Sequence, residues 1–261
     1  MEPIIDFRHI TVDYGNGPVL KDINLQIREG EHTVILGANG SGKSTLMKLF
    51  SNDLYPSAAT SYTKRLFGEA RWSIWELKQK LGIITHDLHH TFAHQAGYVT
   101  GLDLVLSGFH SALGVFSHQG ITEAQKQRAL ESMAALEVAC LAERSVREMS
   151  TGQLRRCIIA RAMVHQPRAL LLDEPTSGLD IKAQREFIEM IRGLSTQVTI
   201  ILITHHIEEV FDEISKVVLL KDGTVYQEGN KEVILSSKNL TEVFGMPLKL
   251  ALSEGRYRIE K

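Results

Sequence analysis

Gly37-Ala38-Asn39-Gly40-Ser41-Gly42-Lys43-Ser44 is the stretch that decides the fold of this chain. It fits G-x-x-x-x-G-K-[ST], a pattern whose glycines let the backbone turn its N–H groups inward around phosphate oxygens. The apolar run from His32 to Leu36 before it reads as a buried strand, and Thr45–Phe50 after it reads as a helix. Strand, glycine turn and helix in that order put the positive end of the helix at the turn. Gly37, Asn39, Gly40, Ser41, Gly42, Lys43, Ser44 and Thr45 are therefore candidate contacts to a nucleoside triphosphate. Lys43 can reach the β- and γ-phosphates, and Ser44 can ligate Mg²⁺. A chance glycine-rich turn would produce this pattern in on the order of 1% of chains of this length.

Downstream, Ala169-Leu170-Leu171-Leu172-Asp173-Glu174 is an apolar strand that ends in two carboxylates. Asp173 can hold Mg²⁺ through water, while Glu174 can orient or deprotonate an attacking water. A buried strand running into an acidic turn is common, so this pair gains meaning only beside the glycine loop.

Further apolar runs at Leu81–Thr85, Val198–Thr204 and Lys216–Leu220 alternate with helix-like stretches, the pattern of a largely parallel sheet with crossover helices. The fold class is α/β. From Val19 to Arg28, Ile23, Leu25 and Ile27 alternate with polar residues, as in a half-buried strand. Between Asp87 and Gln166 strand-like runs give way to helical ones, among them Thr122–Glu137 with Thr122 and Gln125 placed as a capping box. This reads as a helical lobe, residues 87–166, inserted between core segments 1–86 and 167–235, with a helical tail over 236–261. Asp222-Gly223 between two apolar runs predicts a tight hairpin.

With 261 residues and 43% hydrophobic content the chain can bury a sizeable core. Its 29 basic and 31 acidic side chains are well mixed, which speaks against a nucleic-acid-binding surface. Two cysteines make no disulfide framework, and the N-terminus lacks signal-peptide features, so a reducing cytosol is expected. No run approaches the ~18 apolar residues that would span a bilayer.

Between the glycine loop and the carboxylate pair stands Met149-Ser150-Thr151-Gly152-Gln153. With it the chain resembles the ABC ATPase family, whose signature is close to L-S-G-G-Q. In family order it also has Tyr14, the loop at 37–45, Asp173-Glu174, Ser177-Gly178-Leu179-Asp180 and Thr204-His205. The resemblance covers almost the whole chain. It implies a P-loop NTPase (RecA-like) core with an antiparallel β subdomain and an inserted α-helical subdomain. It also implies ATP and Mg²⁺ as cofactors and hydrolysis of ATP.

The same resemblance assigns roles. Tyr14 would stack on adenine, Ser150, Gly152 and Gln153 would meet the γ-phosphate held by a second copy, and Asp180 would reach across that interface. His205 would hold the water in line; a lone His at a strand end is otherwise usually structural. Asp180 also reads as a helix N-cap before Ile181. One loop and one signature per chain imply a head-to-tail homodimer with ATP between the copies. Permease subunits and an extracytoplasmic substrate-binding protein are the implied partners, with the chain peripheral on the cytoplasmic face of the membrane. The C-terminal stretches Asp222–Gly229 and Asn239–Gly245 look like those of importers for metal chelates, vitamin B12 and molybdate. Two alternatives are a non-transport ABC ATPase in DNA repair or on ribosomes, and a P-loop small-molecule kinase. Repair members carry long coiled-coil insertions, which this sequence lacks.

Two positions depart from the family. His86 stands where a glutamine usually follows the strand and contacts Mg²⁺; imidazole offers one nitrogen acceptor instead of a carbonyl oxygen. Thr151 replaces the first signature glycine. His86, His89, His90 and His94 also form a local cluster, irregular in spacing, that reads first as a contact surface and second as a metal site.

Overall fold

A computed structural model describes residues 3–57, 61–110, 112–115, 120–253 and 255–260. They fall into two compact units, Met1–Ile74 with Ser195–Lys261, and Trp75–Leu194. The first unit begins with β1 (Pro3–Asp13), β2 (Pro18–Arg28), β3 (Thr33–Leu36), α1 (Lys43–Phe50) and β4 (Thr63–Leu66). After α2 (Ile74–Lys80), which starts at the boundary, the second unit holds β5 (Leu81–Ile84), α3 (His86–Gln95), α4 (Gly101–Leu106) and α5 (Glu123–Ala135). It continues with α6 (Thr151–Met163), β6 (Ala169–Asp173) and α7 (Ile181–Leu194). The chain then returns to the first unit with β7 (Thr199–Thr204), β8 (Lys216–Lys221), β9 (Thr224–Asn230), α8 (Lys231–Ile234), α9 (Ser237–Phe244), β10 (Lys249–Ser253) and β11 (Arg256–Glu260).

In the first unit β3 lies between β7 and β8 and pairs in parallel with both. Every residue of β3 and β7 is buried, the end threonines Thr33, Thr199 and Thr204 along with the apolar residues. The register sets Leu36 beside Thr204, so the segments that follow the two strands leave the sheet at the same edge. In open α/β sheets that carboxyl edge is where ligands bind. A separate antiparallel sheet, ordered β2-β1-β4, buries Ile23, Leu25 and Ile27 of β2 and turns Asn24 and Arg28 outward.

The β8–β9 hairpin turns on Asp222 and Gly223, whose φ of 50° and 79° are both left-handed, as a two-residue primed turn needs. The segment read as a helical tail is helical only over Ser237–Phe244; Lys249–Glu260 is an antiparallel hairpin instead. Its residues alternate with period two, so Leu250 faces Ile259 and Leu252 faces Tyr257 across the pair.

In the second unit β5 and β6 pair in parallel, from Leu81 with Ala169 to Ile84 with Leu172. Helix α6 packs on β5 so closely that a Cβ on Gly82 would meet Leu170, Ala162 and Pro167. The second unit runs from Trp75 to Leu194, and the lobe read from the sequence, 87–166, lies within it. Strands β5 and β6 and helix α7 fall within the same unit. Helix α5 begins at the expected capping box: Gln125 N donates to Thr122 Oγ1 at 3.2 Å and Thr122 N donates to Gln125 Oε1 at 2.9 Å.

Candidate functional site

The glycine loop leaves β3 at Gly37 and enters α1 at Lys43. Gly40 and Gly42 have φ of 81° and 104°, a conformation that side chains disfavour. A Cβ on Gly37 would lie 2.5 Å from both the Leu220 carbonyl and Ser41 Oγ. Helix α1 has no side-chain cap at its N-terminus, so its first N–H groups are left for another acceptor. Ser41 Oγ is buried without a hydrogen-bond partner among the described residues, a second polar group awaiting one. Lys43 is 7% exposed, and its ammonium donates to the carbonyls of Gly37 at 2.7 Å and Ala38 at 3.1 Å. The loop thus folds back on its own lysine, a set of donors and positive charge suited to a polyphosphate. Asn39 and Ser44 are exposed, and Thr45 is buried.

His205 directly follows β7 and so stands at the same strand edge as the loop. Its ring lies 3.9 Å from that of His206, centroid to centroid. Tyr14 follows β1 and is 54% exposed. Val12, two residues earlier, pairs with Leu20, and Leu20 is the side chain that a Cβ on Gly42 would strike. The tyrosine loop therefore lies on the glycine-loop side of the first unit, with its ring available.

In the second unit Asp173 ends β6 and Glu174 follows with a left-handed φ of 46°. That conformation strains a non-glycine residue and turns the chain sharply at the carboxylate. Ser150 caps α6: Gln153 N donates to Ser150 Oγ at 3.2 Å and Ser150 N donates to Gln153 Oε1 at 2.9 Å. A Cβ on Gly152 would meet nothing within 4 Å, so the space before this helix end is open. Ser150, Gly152, Gln153 and Asp180 line one cavity of about 430 Å³. Asp180 Oδ1 also accepts from Ala183 N at 2.8 Å, so the capping role is present alongside its place in the cavity wall. His86 opens α3, capped by Thr85, but its side chain lies outside the described residues.

A family model described as ABC transporter matches residues 20–177. This chain belongs to that family. It is 30% identical to the hemin import ATP-binding protein of Aliivibrio fischeri over 92% of this chain and 90% of that one. Among solved structures it resembles cbiO1 from Clostridium perfringens, part of the ABC transporter complex cbiONQ. The TM-score is 0.77 and the identity 28%, over 93% of this chain and 94% of that one. A bacterial ABC transporter cassette solved as a dimer matches with TM-score 0.69 and 27% identity, over 87% and 98% of the two chains. The chain is thus an ABC transporter ATP-binding subunit, an ATPase of P-loop α/β fold.

Three features of this ABC ATPase were not read from its sequence. Gly223 N donates to the Ser41 carbonyl at 3.1 Å while its own carbonyl accepts from Lys21 N at 2.8 Å, so the β8–β9 turn braces the glycine loop. No motif signals that contact, because it joins segments far apart in sequence. Arg155 of α6, 4% exposed, donates to the carbonyls of Pro175 and, at 2.8 Å, Ser177. It ties the signature helix to the loop that begins at Glu174; a charged residue on the inner face of a helix was the available clue. His206 sets its ring beside that of His205, tilted by 38°.

Elsewhere in α6, burial pushes the Cys157 thiol up to about 12 and the Arg161 guanidinium down to about 10. Arg161 donates to Ser107 Oγ at 3.0 Å and to the Ala112 carbonyl at 3.1 Å, which anchors α6 to the turn after α4.

Proposed function

We propose that this ABC ATPase powers import of a metal chelate or an oxyanion, working as a head-to-tail homodimer that closes on two molecules of ATP with Mg²⁺. Permease subunits in the membrane receive the motion at the cytoplasmic face, and an extracytoplasmic binding protein delivers the cargo. The similar hemin import protein supports import, the similar cassette in a multi-subunit complex supports further subunits as partners, and the similar dimeric cassette supports the pairing of two copies.

One observation carries it: the signature helix begins at a cavity lined by Ser150, Gly152 and Gln153, where a Cβ on Gly152 would meet no described atom within 4 Å. One copy has one uncapped loop helix and one such helix end, so two copies supply two full sites. In each site Lys43 would leave the Gly37 and Ala38 carbonyls for phosphate oxygens, and Ser41 Oγ would gain its missing partner. Tyr14 stacks on the base. Glu174 accepts the proton of the attacking water, His205 holds that water in line, and Ser150 of the other copy donates to the γ-phosphate. The exposed Ser44 hydroxyl and the Asp173 carboxylate are hard oxygen donors of the type Mg²⁺ prefers; His86, with one nitrogen acceptor, suits it less. When bound, that ion neutralises phosphate charge.

Glu174→Gln tests the scheme. It should leave ATP binding intact, slow hydrolysis roughly 10²–10⁴-fold and trap an ATP-bound dimer on size-exclusion chromatography. A variant that stays monomeric with saturating ATP would remove the sandwich from the mechanism.

A further inference from the structure

Helix α3 brings two histidines of the cluster together on one face. His90 and His94 are both exposed, and their rings lie 4.2 Å apart, centroid to centroid, tilted by 42°. Four-residue spacing stacks side chains one turn apart on the same stripe of a helix. No hydrogen bond or ion pair among the described residues occupies either ring; each touches the other. Three histidines elsewhere are committed. His9 Nδ1 pairs with Asp22 at 2.8 Å, His32 Nδ1 accepts from Ile200 N at 3.1 Å, and His165 Nε2 meets the Gly108 carbonyl at 3.2 Å.

We propose that His90 and His94 form a bidentate site for a borderline divalent cation, Zn²⁺, Ni²⁺ or Cu²⁺. Two histidines at i and i+4 on one helical face are the arrangement by which helices hold zinc. Neutral imidazole suits these ions and is a poor ligand for Mg²⁺ or Ca²⁺, which take oxygen. The site is therefore chemically distinct from the oxygen donors Ser44 and Asp173. Asp87, exposed and one turn before His90, is the nearest carboxylate on the same stripe, and water fills the remaining positions. With two protein ligands in place of the four of a structural zinc site, the ion comes and goes with its free concentration. When bound it clamps the two C-terminal turns of α3, the helix that follows β5.

Isothermal titration of ZnCl₂ into the chelator-treated full-length chain, without nucleotide, tests this. The expected result is one ion per chain, with affinity reduced in His90→Ala and in His94→Ala by at least the roughly tenfold that loss of an outer-sphere partner costs. MgCl₂ should give no such binding. Circular dichroism checks that both variants fold. Independently of any variant, substoichiometric Cu²⁺ should broaden the His90 and His94 ring resonances of the unaltered protein before those of other histidines. The proposal fails if the chain takes up no Zn²⁺. It fails equally if stoichiometry and affinity persist in the two variants, or if broadening begins at His205 and His206.

Discussion

Two helices of this ABC ATPase begin in opposite chemical states. Helix α1 begins at a left-handed glycine with no side-chain cap, whereas α6 begins at Ser150 with both halves of a capping box closed. A capped helix has met its own needs; an uncapped one keeps its donors for something else. On the proposed reading the uncapped end, with Lys43 and the buried Ser41 hydroxyl, would hold phosphate by itself. The capped end offers a hydroxyl and a helix-end field but few free donors, so it suits a second, weaker contact to a phosphate already held.

Four measurements break or sharpen that contrast. Ser150→Asp keeps an acceptable cap, so thermal stability should hardly move, while a carboxylate facing the triphosphate should cut hydrolysis by about 100-fold. Unaltered turnover would show that α6 never meets nucleotide. Lys43→Ala acts on the other helix and should weaken ATP binding about 10–100-fold by equilibrium dialysis, the effect of losing a charge-assisted bond. Equal affinity in both proteins would deny the lysine its phosphate role.

Gly223→Ala asks whether the brace under the loop matters. A Cβ there meets the Val19 carbonyl at a left-handed φ, so urea unfolding should show a loss of about 1–3 kcal/mol together with weaker ATP binding. A stability loss with normal affinity would separate the brace from the binding site.

The smallest effect concerns Cys157. Its folded thiol titrates near 12 against a usual 9, so the neutral form is favoured by the fold. That contribution is complete below pH 9 and is lost as pH rises toward 12, where the unfolded chain is already ionised. The stability difference between the unaltered chain and Cys157→Ala should be flat to pH 9 and then shrink; a difference growing above pH 9 would reverse the sign.

Features built within a few residues were legible beforehand. The capping boxes at Thr122 and Ser150, the Asp222-Gly223 turn and the glycine loop each depend on neighbours three to seven positions away, so the pattern of side chains carries the geometry. Features that join distant segments were not. Strand β4, Thr-Lys-Arg-Leu, has too little apolar alternation to be recognised and exists because β1 pairs with it. The Gly223–Ser41 and Arg155–Pro175 bonds belong to the same class. The C-terminal hairpin is different: Leu250, Leu252, Tyr257 and Ile259 displayed the period-two signal, and the helical pattern just before them was extended too far. His90 and His94 sat in a cluster whose spacing looked irregular until the helix selected which two share a stripe.

The guanidinium of Arg155 bolts the signature helix to the backbone just past Glu174. In the proposed head-to-tail pair the first of these would serve the neighbour's triphosphate and the second the chain's own. A tilt of α6 as it seats on the neighbour would drag the base into or out of alignment at the opposite active centre. Two turnovers linked by so short a lever would not be statistically independent, and rate curves against ATP concentration would bend accordingly.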